Sequence, residues 1–121
     1  MIIPKFRAWD KISKTMFPVM MIDFGQSYVM IEEINGLWCE RGFDEVELMQ
    51  STGLFDENGK EIFNGDIVLI YGEKISKVFY SQGSFCVDIL NGGTPLHGFS
   101  PKQLEVIGNV WENPELVEEE K

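Results

Sequence analysis

Five short apolar segments crowd into residues 67–111: Ile67–Tyr71, Ile75–Tyr80, Phe85–Leu90, Leu96–Phe99 and Leu104–Trp111. Gly72-Glu73, Ser81-Gln82-Gly83, Asn91-Gly92-Gly93 and Ser100-Pro101-Lys102 separate them. Short apolar segments bounded by turn residues read as strands. Five of them describe a small closed barrel of the SH3-like kind, because closure removes exposed strand edges. A flat open meander is the structural alternative. A chain that is 44% hydrophobic and 25% charged has the composition of a folded domain. That excludes wholesale disorder and collagen-like or coiled-coil fibres.

The first half also reads as β. Lys5 to Asp10 alternates, with Phe6 and Ala8 on one face and Arg7 and Trp9 on the other. Asp10 to Lys14 makes a turn, and Thr15 to Phe24 returns. Pro18 has no N–H to give, so it places this return strand at an edge or on a bulge. Tyr28 to Ile34 is a further strand, and Asn35-Gly36 is a strong hairpin signal because both residues tolerate positive φ. Leu37-Trp38-Cys39 would be its partner. Residues 43–50 are read as a strand from the alternation of Val46 and Leu48, against a helical propensity. Asp56-Glu57-Asn58-Gly59 is a turn with Gly59 in the left-handed region. At the end, Asn113-Pro114-Glu115 opens a short helical turn docked by Leu116 and Val117, with Asn113 suited to cap it. The expected organisation is therefore mainly β. A hairpin-rich region, residues 1–52, packs on a small SH3-like barrel, residues 53–117, and an acidic tail follows at 118–121. The N-terminal region is too small to bury much surface alone, so it must pack on the barrel or on another subunit.

Charge narrows the partners. The net charge is −10, from 20 acidic against 10 basic residues, which opposes non-specific nucleic-acid binding. Residues 1–14 are the exception, with Lys5, Arg7, Lys11 and Lys14 against Asp10 alone. Lys5, Phe6, Arg7, Trp9, Lys11 and Lys14 thus form a recognition edge to be tested against a plain edge strand. A nucleic-acid-linked regulator could use that edge, or the acidic surface could mimic DNA. Cys39 and Cys86 sit in apolar settings and read as buried, reduced thiols. No signal-peptide pattern opens the chain and its longest apolar run is too short to span a membrane. The expected location is the cytoplasm.

Catalytic and metal motifs fail on inspection. Between Gly53 and Gly59-Lys60 there are five residues where a phosphate loop needs four, and Glu61 replaces its Ser or Thr. A calcium loop around Asp56-x-Asn58-Gly59 would begin on Leu54 and end on Gly65. His97 is the single histidine and has no ligand spacing around it. Glu32-Glu33 and Asp44-Glu45 are strand neighbours that point to opposite faces. No nucleophile elbow is present. No catalytic residue, metal or cofactor is implied. Aromatics crowd into the first 43 residues, and some of them read as an oligomer or partner surface.

Four segments carry a family resemblance. They are Lys5-Phe6-Arg7-Ala8-Trp9-Asp10 followed by Met16; Leu48-Met49-Gln50-Ser51-Thr52-Gly53-Leu54; Asp56 with Asn58-Gly59-Lys60-Glu61-Ile62-Phe63 and Gly65-Asp66-Ile67-Val68; and Ile107-Gly108-Asn109-Val110-Trp111-Glu112-Asn113-Pro114-Glu115-Leu116. In this order the chain resembles the YopX family of phage and prophage proteins. The resemblance implies a mostly β protein with an SH3-type C-terminal part in a bacterial or phage setting. It transfers no activity and no catalytic residues. The functional expectation is a non-enzymatic binding or assembly module, homo-oligomeric, contacting a host or phage protein and no membrane.

Overall fold

A computed structural model of the chain describes residues 4–89 and 93–117. The Asn91-Gly92 turn and the 118–121 tail lie outside the described residues. The chain divides into two compact units, one ending at Gln50 and one beginning at Ser51. Strand is the dominant element and the only helical pieces among the described residues are single 3-10 turns.

The first unit is an antiparallel sheet of β1 (Phe6–Asp10), β2 (Thr15–Asp23), β3 (Tyr28–Glu32), β4 (Trp38–Gly42) and the first half of β5 (Val46–Phe55), in the order β4-β3-β2-β1-β5. Asp10 makes the first hairpin: its carboxylate accepts the Ile12 N–H at 3.3 Å and the Ser13 hydroxyl at 2.7 Å. Pro18 stands opposite Arg7 of β1, and β2 has partners on both sides. Of the two expectations for Pro18 the bulge holds and the edge does not, because Met20 is the extra residue between Val19 and Met21. The Asn35-Gly36 hairpin forms, but only Gly36 takes a positive φ, +85°. Glu33 and Leu37 close a three-residue loop, which needs a single left-handed residue. Residues 43–50 split: Phe43–Glu45 is a 3-10 turn and the strand begins at Val46. Ala8, Phe17, Val29, Ile31 and Val46 form the buried core of this sheet.

The second unit begins on the second half of β5, whose Ser51 and Phe55 pair with β6 (Glu61–Phe63). Next come β7 (Asp66–Ile70), β8 (Lys74–Lys77), β9 (Phe79–Ser81), β10 (Ser84–Asp88), β11 (Gly93–Pro95) and β12 (Leu104–Asn109). Among the described residues their ladders do not close into one barrel. They form two three-stranded sheets, β12-β7-β8 and β11-β10-β9. The chain passes from one sheet to the other at a corner, Val78. One apolar segment serves both sheets, with β8 before the corner and β9 after it. The buried Val78 still exchanges backbone bonds with Gly65 and Asp66. Ile62, Val68, Ile70, Val78, Val87, Leu96 and Leu104 make the core.

Two local expectations in this unit change. Leu96–Phe99 is not a strand: Leu96–Gly98 is a 3-10 turn closed by the Phe99 N–H on the Leu96 carbonyl. Its apolar residues are three apart, the spacing that eclipses in a 3-10 turn, and Leu96 is fully buried. Pro114–Leu116 is a 3-10 turn, with Leu116 and Val117 half-buried. Asn113 does not cap it; its Oδ1 instead accepts the Asn109 N–H at 3.2 Å.

Candidate functional site

The six residues of the expected recognition edge do not form an edge. β1 is paired on both sides, with β2 and with β5, so its backbone has no free ladder. The correction comes from β5, a strand 36 or more residues downstream whose pairing with β1 no local pattern announces. Nor do the side chains converge. Trp9 is buried, flanked across the sheet by Met16 and Glu47. Arg7 is half-buried with Nη2 3.7 Å from the Met49 sulfur. Lys11 Nζ pairs with Glu47 Oε2 at 3.0 Å. Lys14 sits exposed in the first turn with φ +58°. Lys5 and Phe6 line a cleft of about 320 Å³ together with Val19, Met20, Met21 and Ile22.

What the residue pattern missed lies at the other end of the same sheet. β4 is the outermost strand, and the hairpin leading into it is strongly apolar yet exposed. Ile34 is 96% exposed, Leu37 64% and Trp38 51%. Large apolar residues on both sides of an Asn-Gly tip were the available signal. Behind them, Arg41 Nε reaches across to the fully buried Asp10 Oδ1 at 3.0 Å, and its Nη1 donates to the Cys39 sulfur at 2.6 Å. Burial by itself would push the Asp10 carboxyl up. The hydrogen bonds from Arg41, Ser13 and Ile12 outweigh it and hold the carboxyl below its ordinary value. The Asp10 bond raises Arg41 correspondingly. Both cysteines are free, Cys86 buried and Cys39 only half-buried.

His97 lines a cleft of about 310 Å³ with Thr52, Leu54, Gly83, Ser84, Phe85 and Leu96. No carboxylate is among these residues, so nothing in the lining could orient the imidazole as a base. His97→Ala is accordingly expected to change stability by less than about 0.5 kcal/mol, measured by urea unfolding. A larger loss would show a structural contact for this exposed side chain. No cluster of His, Cys, Asp and Glu able to hold a metal occurs among the described residues. No helix among them is long and apolar enough to cross a membrane.

The YopX protein family model matches residues 5–118. The chain belongs to the YopX family. It is also similar to a solved structure, the crystal structure of protein EF1440 from Enterococcus faecalis. That likeness has 32% identity and a TM-score of 0.70, covering 98% of this chain and 100% of the other. A search of curated proteins gave no match.

The YopX segments have structural reasons. Asp10 holds the first turn and Arg41. Asp56 is buried and accepts three backbone N–H groups: Asn58 at 2.9 Å, Lys60 at 2.8 Å and Val106 at 2.9 Å. Gly59 takes the left-handed conformation that this turn expects, with φ +79°. Asp66 Oδ2 accepts the Phe63 N–H at 2.8 Å. Asn109 is buried, and its Oδ1 accepts the Trp111 and Glu112 N–H groups. A Cβ on Gly108 would stand 2.5 Å from Asn113 Oδ1, so the Gly-Asn pair and Asn113 fit only together. In this YopX chain Asp10, Asp56, Gly59, Asp66, Gly108 and Asn109 build turns and junctions.

Proposed function

We propose that this YopX-family chain is a non-enzymatic protein-binding and assembly module. It is phage- or prophage-encoded and acts in the bacterial cytoplasm, on copies of itself and on a host or phage protein. One observation carries the reading. The first unit leaves Met20, Met21, Phe24, Ile34, Leu37 and Trp38 exposed on its strands and turns. Aromatic and methionine side chains are enriched at protein interfaces, and flexible thioethers adapt to a partner's shape. The cleft under Met20 and Met21 is the partner site in this reading. The ion pair of Lys11 with Glu47 and the net charge of −10 speak against a direct nucleic-acid role.

Light scattering at micromolar concentration tests the assembly half. A mass that is a multiple of 13.9 kDa is expected. A monomer at every concentration would remove self-assembly and leave partner binding alone.

A further inference from the structure

We infer that two copies of this chain join through β4, antiparallel and two-fold symmetric, with Trp38 of one copy directly opposite Trp38 of the other. The inference names the contact behind the assembly reading above and rests on it.

The backbone of β4 shows which groups are available. At its start the Glu33 N–H bonds the Leu37 carbonyl, and at its end the Phe43 N–H bonds the Ser27 carbonyl. Hydrogen-bonded positions alternate in an antiparallel pair. Leu37, Cys39, Arg41 and Phe43 therefore face β3, while Trp38, Glu40 and Gly42 aim their N–H and C=O groups outward. The far part of that outward row is already occupied. The Gly42 N–H donates to Glu45 Oε1 at 2.8 Å, and the Glu40 carbonyl accepts from Arg41 Nη1 at 3.0 Å. Side-chain covers of this kind blunt an edge against pairing. They stop short of Trp38, whose N–H and C=O, with the Glu40 N–H, form the open part of the edge.

Five symmetric registers match outward groups with outward groups, and those centred on Arg41 and Gly42 need the Gly42 N–H that Glu45 already holds. Centring on Glu40 sets Glu40 against Glu40, a like-charge pair directly opposite, which is destabilising. Centring on Cys39 asks the Glu40 carbonyl, already held by Arg41, to accept a second bond. Centring on Trp38 needs neither. The two Trp38 residues exchange both N–H···O bonds, and each Glu40 falls opposite Gly36 of the second copy. The Gly36 N–H is committed to the Glu33 carbonyl inside its own turn, so it asks nothing of the covered Glu40 carbonyl. The same register brings Leu37 opposite Cys39 of the second copy and gathers the exposed Leu37 and Trp38 side chains of both copies about the axis. Such an interface is isologous and closes on itself.

Sedimentation velocity of the full chain is the test, with two variants. Trp38→Lys places a charge at the axis without touching either unit's core. It is expected to weaken the dimer at least about thirty-fold, the loss that follows when a buried aromatic hot spot is removed. Leu37→Cys reports the register. Residues opposite in a non-hydrogen-bonded pair have Cα atoms about 4.5 Å apart, within disulfide reach. Mild oxidation is expected to give a covalent dimer whose peptide map joins the introduced thiol to Cys39 of the other copy. A Cys39–Cys39 link would overturn the register. An oligomer that survives Trp38→Lys unchanged would overturn the β4 contact while leaving the assembly reading intact. A wild-type monomer throughout would overturn both.

Discussion

Asp10→Ala should destabilise the first unit by about 3–5 kcal/mol, the cost of removing one partner of a buried ion pair. Asp10 is fully buried and the Arg41 side chain is 14% exposed. Removing the carboxylate strands the guanidinium beside Cys39 and also frees the Ser13 hydroxyl and the Ile12 N–H. The damage is the desolvated charge left behind, more than the lost attraction. Arg41→Ala combined with Asp10→Ala should therefore cost clearly less than the two single changes added together. Urea unfolding of the four proteins gives the coupling. Simple additivity would show that the pair is not acting as a unit.

Asp56→Ala should cost the second unit about 3 kcal/mol, since it strips the acceptor from three backbone N–H groups at once and a charged acceptor is worth about 1.5–3 kcal/mol per bond without being additive. Val106 lies 50 residues along the chain from Asp56, so this one carboxylate ties the Asp56–Lys60 turn to β12. The Asp56 carboxyl is subject to burial, which raises it, and to the three N–H donors and Lys60, which together bring it below its ordinary value. Asp10 shows the same net direction. Each folded carboxyl therefore binds its proton less readily than the unfolded chain does. The stabilisation is complete above the unfolded value near 3.8 and disappears as pH falls through the lower folded values. Urea midpoints taken from about pH 6 down to pH 2 should fall in acid for the natural protein and fall less steeply for Asp56→Ala. Parallel curves would show that Asp56 is not a source of the acid sensitivity.

Much of the architecture was legible because it is local. The hairpin at Asp10 and the left-handed Gly59 each follow from what one residue can or cannot do at its own position, and the bulge at Met20 lies two residues beyond Pro18, on the strand where Pro18 called for it. The element types of 43–45 and 96–98 were not, because three-residue turns carry too few residues for a period to declare itself. The expected edge position of Lys5–Asp10 failed for a different reason. Alternation in Lys5–Asp10 identifies a strand but is silent on its neighbours, and the pairing with Val46–Gln50 turned an expected edge into the middle of a sheet. The real outer strand, β4, was legible as a strand only. Its exposure followed from the order of the whole sheet, and its open and covered halves from Glu45 and Arg41 side chains that no spacing rule connects to it.

The central claim is that this YopX-family protein works by protein contact through its first unit. Affinity capture from a lysogenic or infected host tests it most directly, with the natural chain and Met20→Lys as parallel baits. Met20 is exposed in the cleft beside Phe6, so the substitution leaves the core untouched. The account predicts a specific host or phage protein on the natural chain that is depleted at least about thirty-fold on the variant. Equal recovery on both baits, or nothing above an empty-resin control on either, would contradict it.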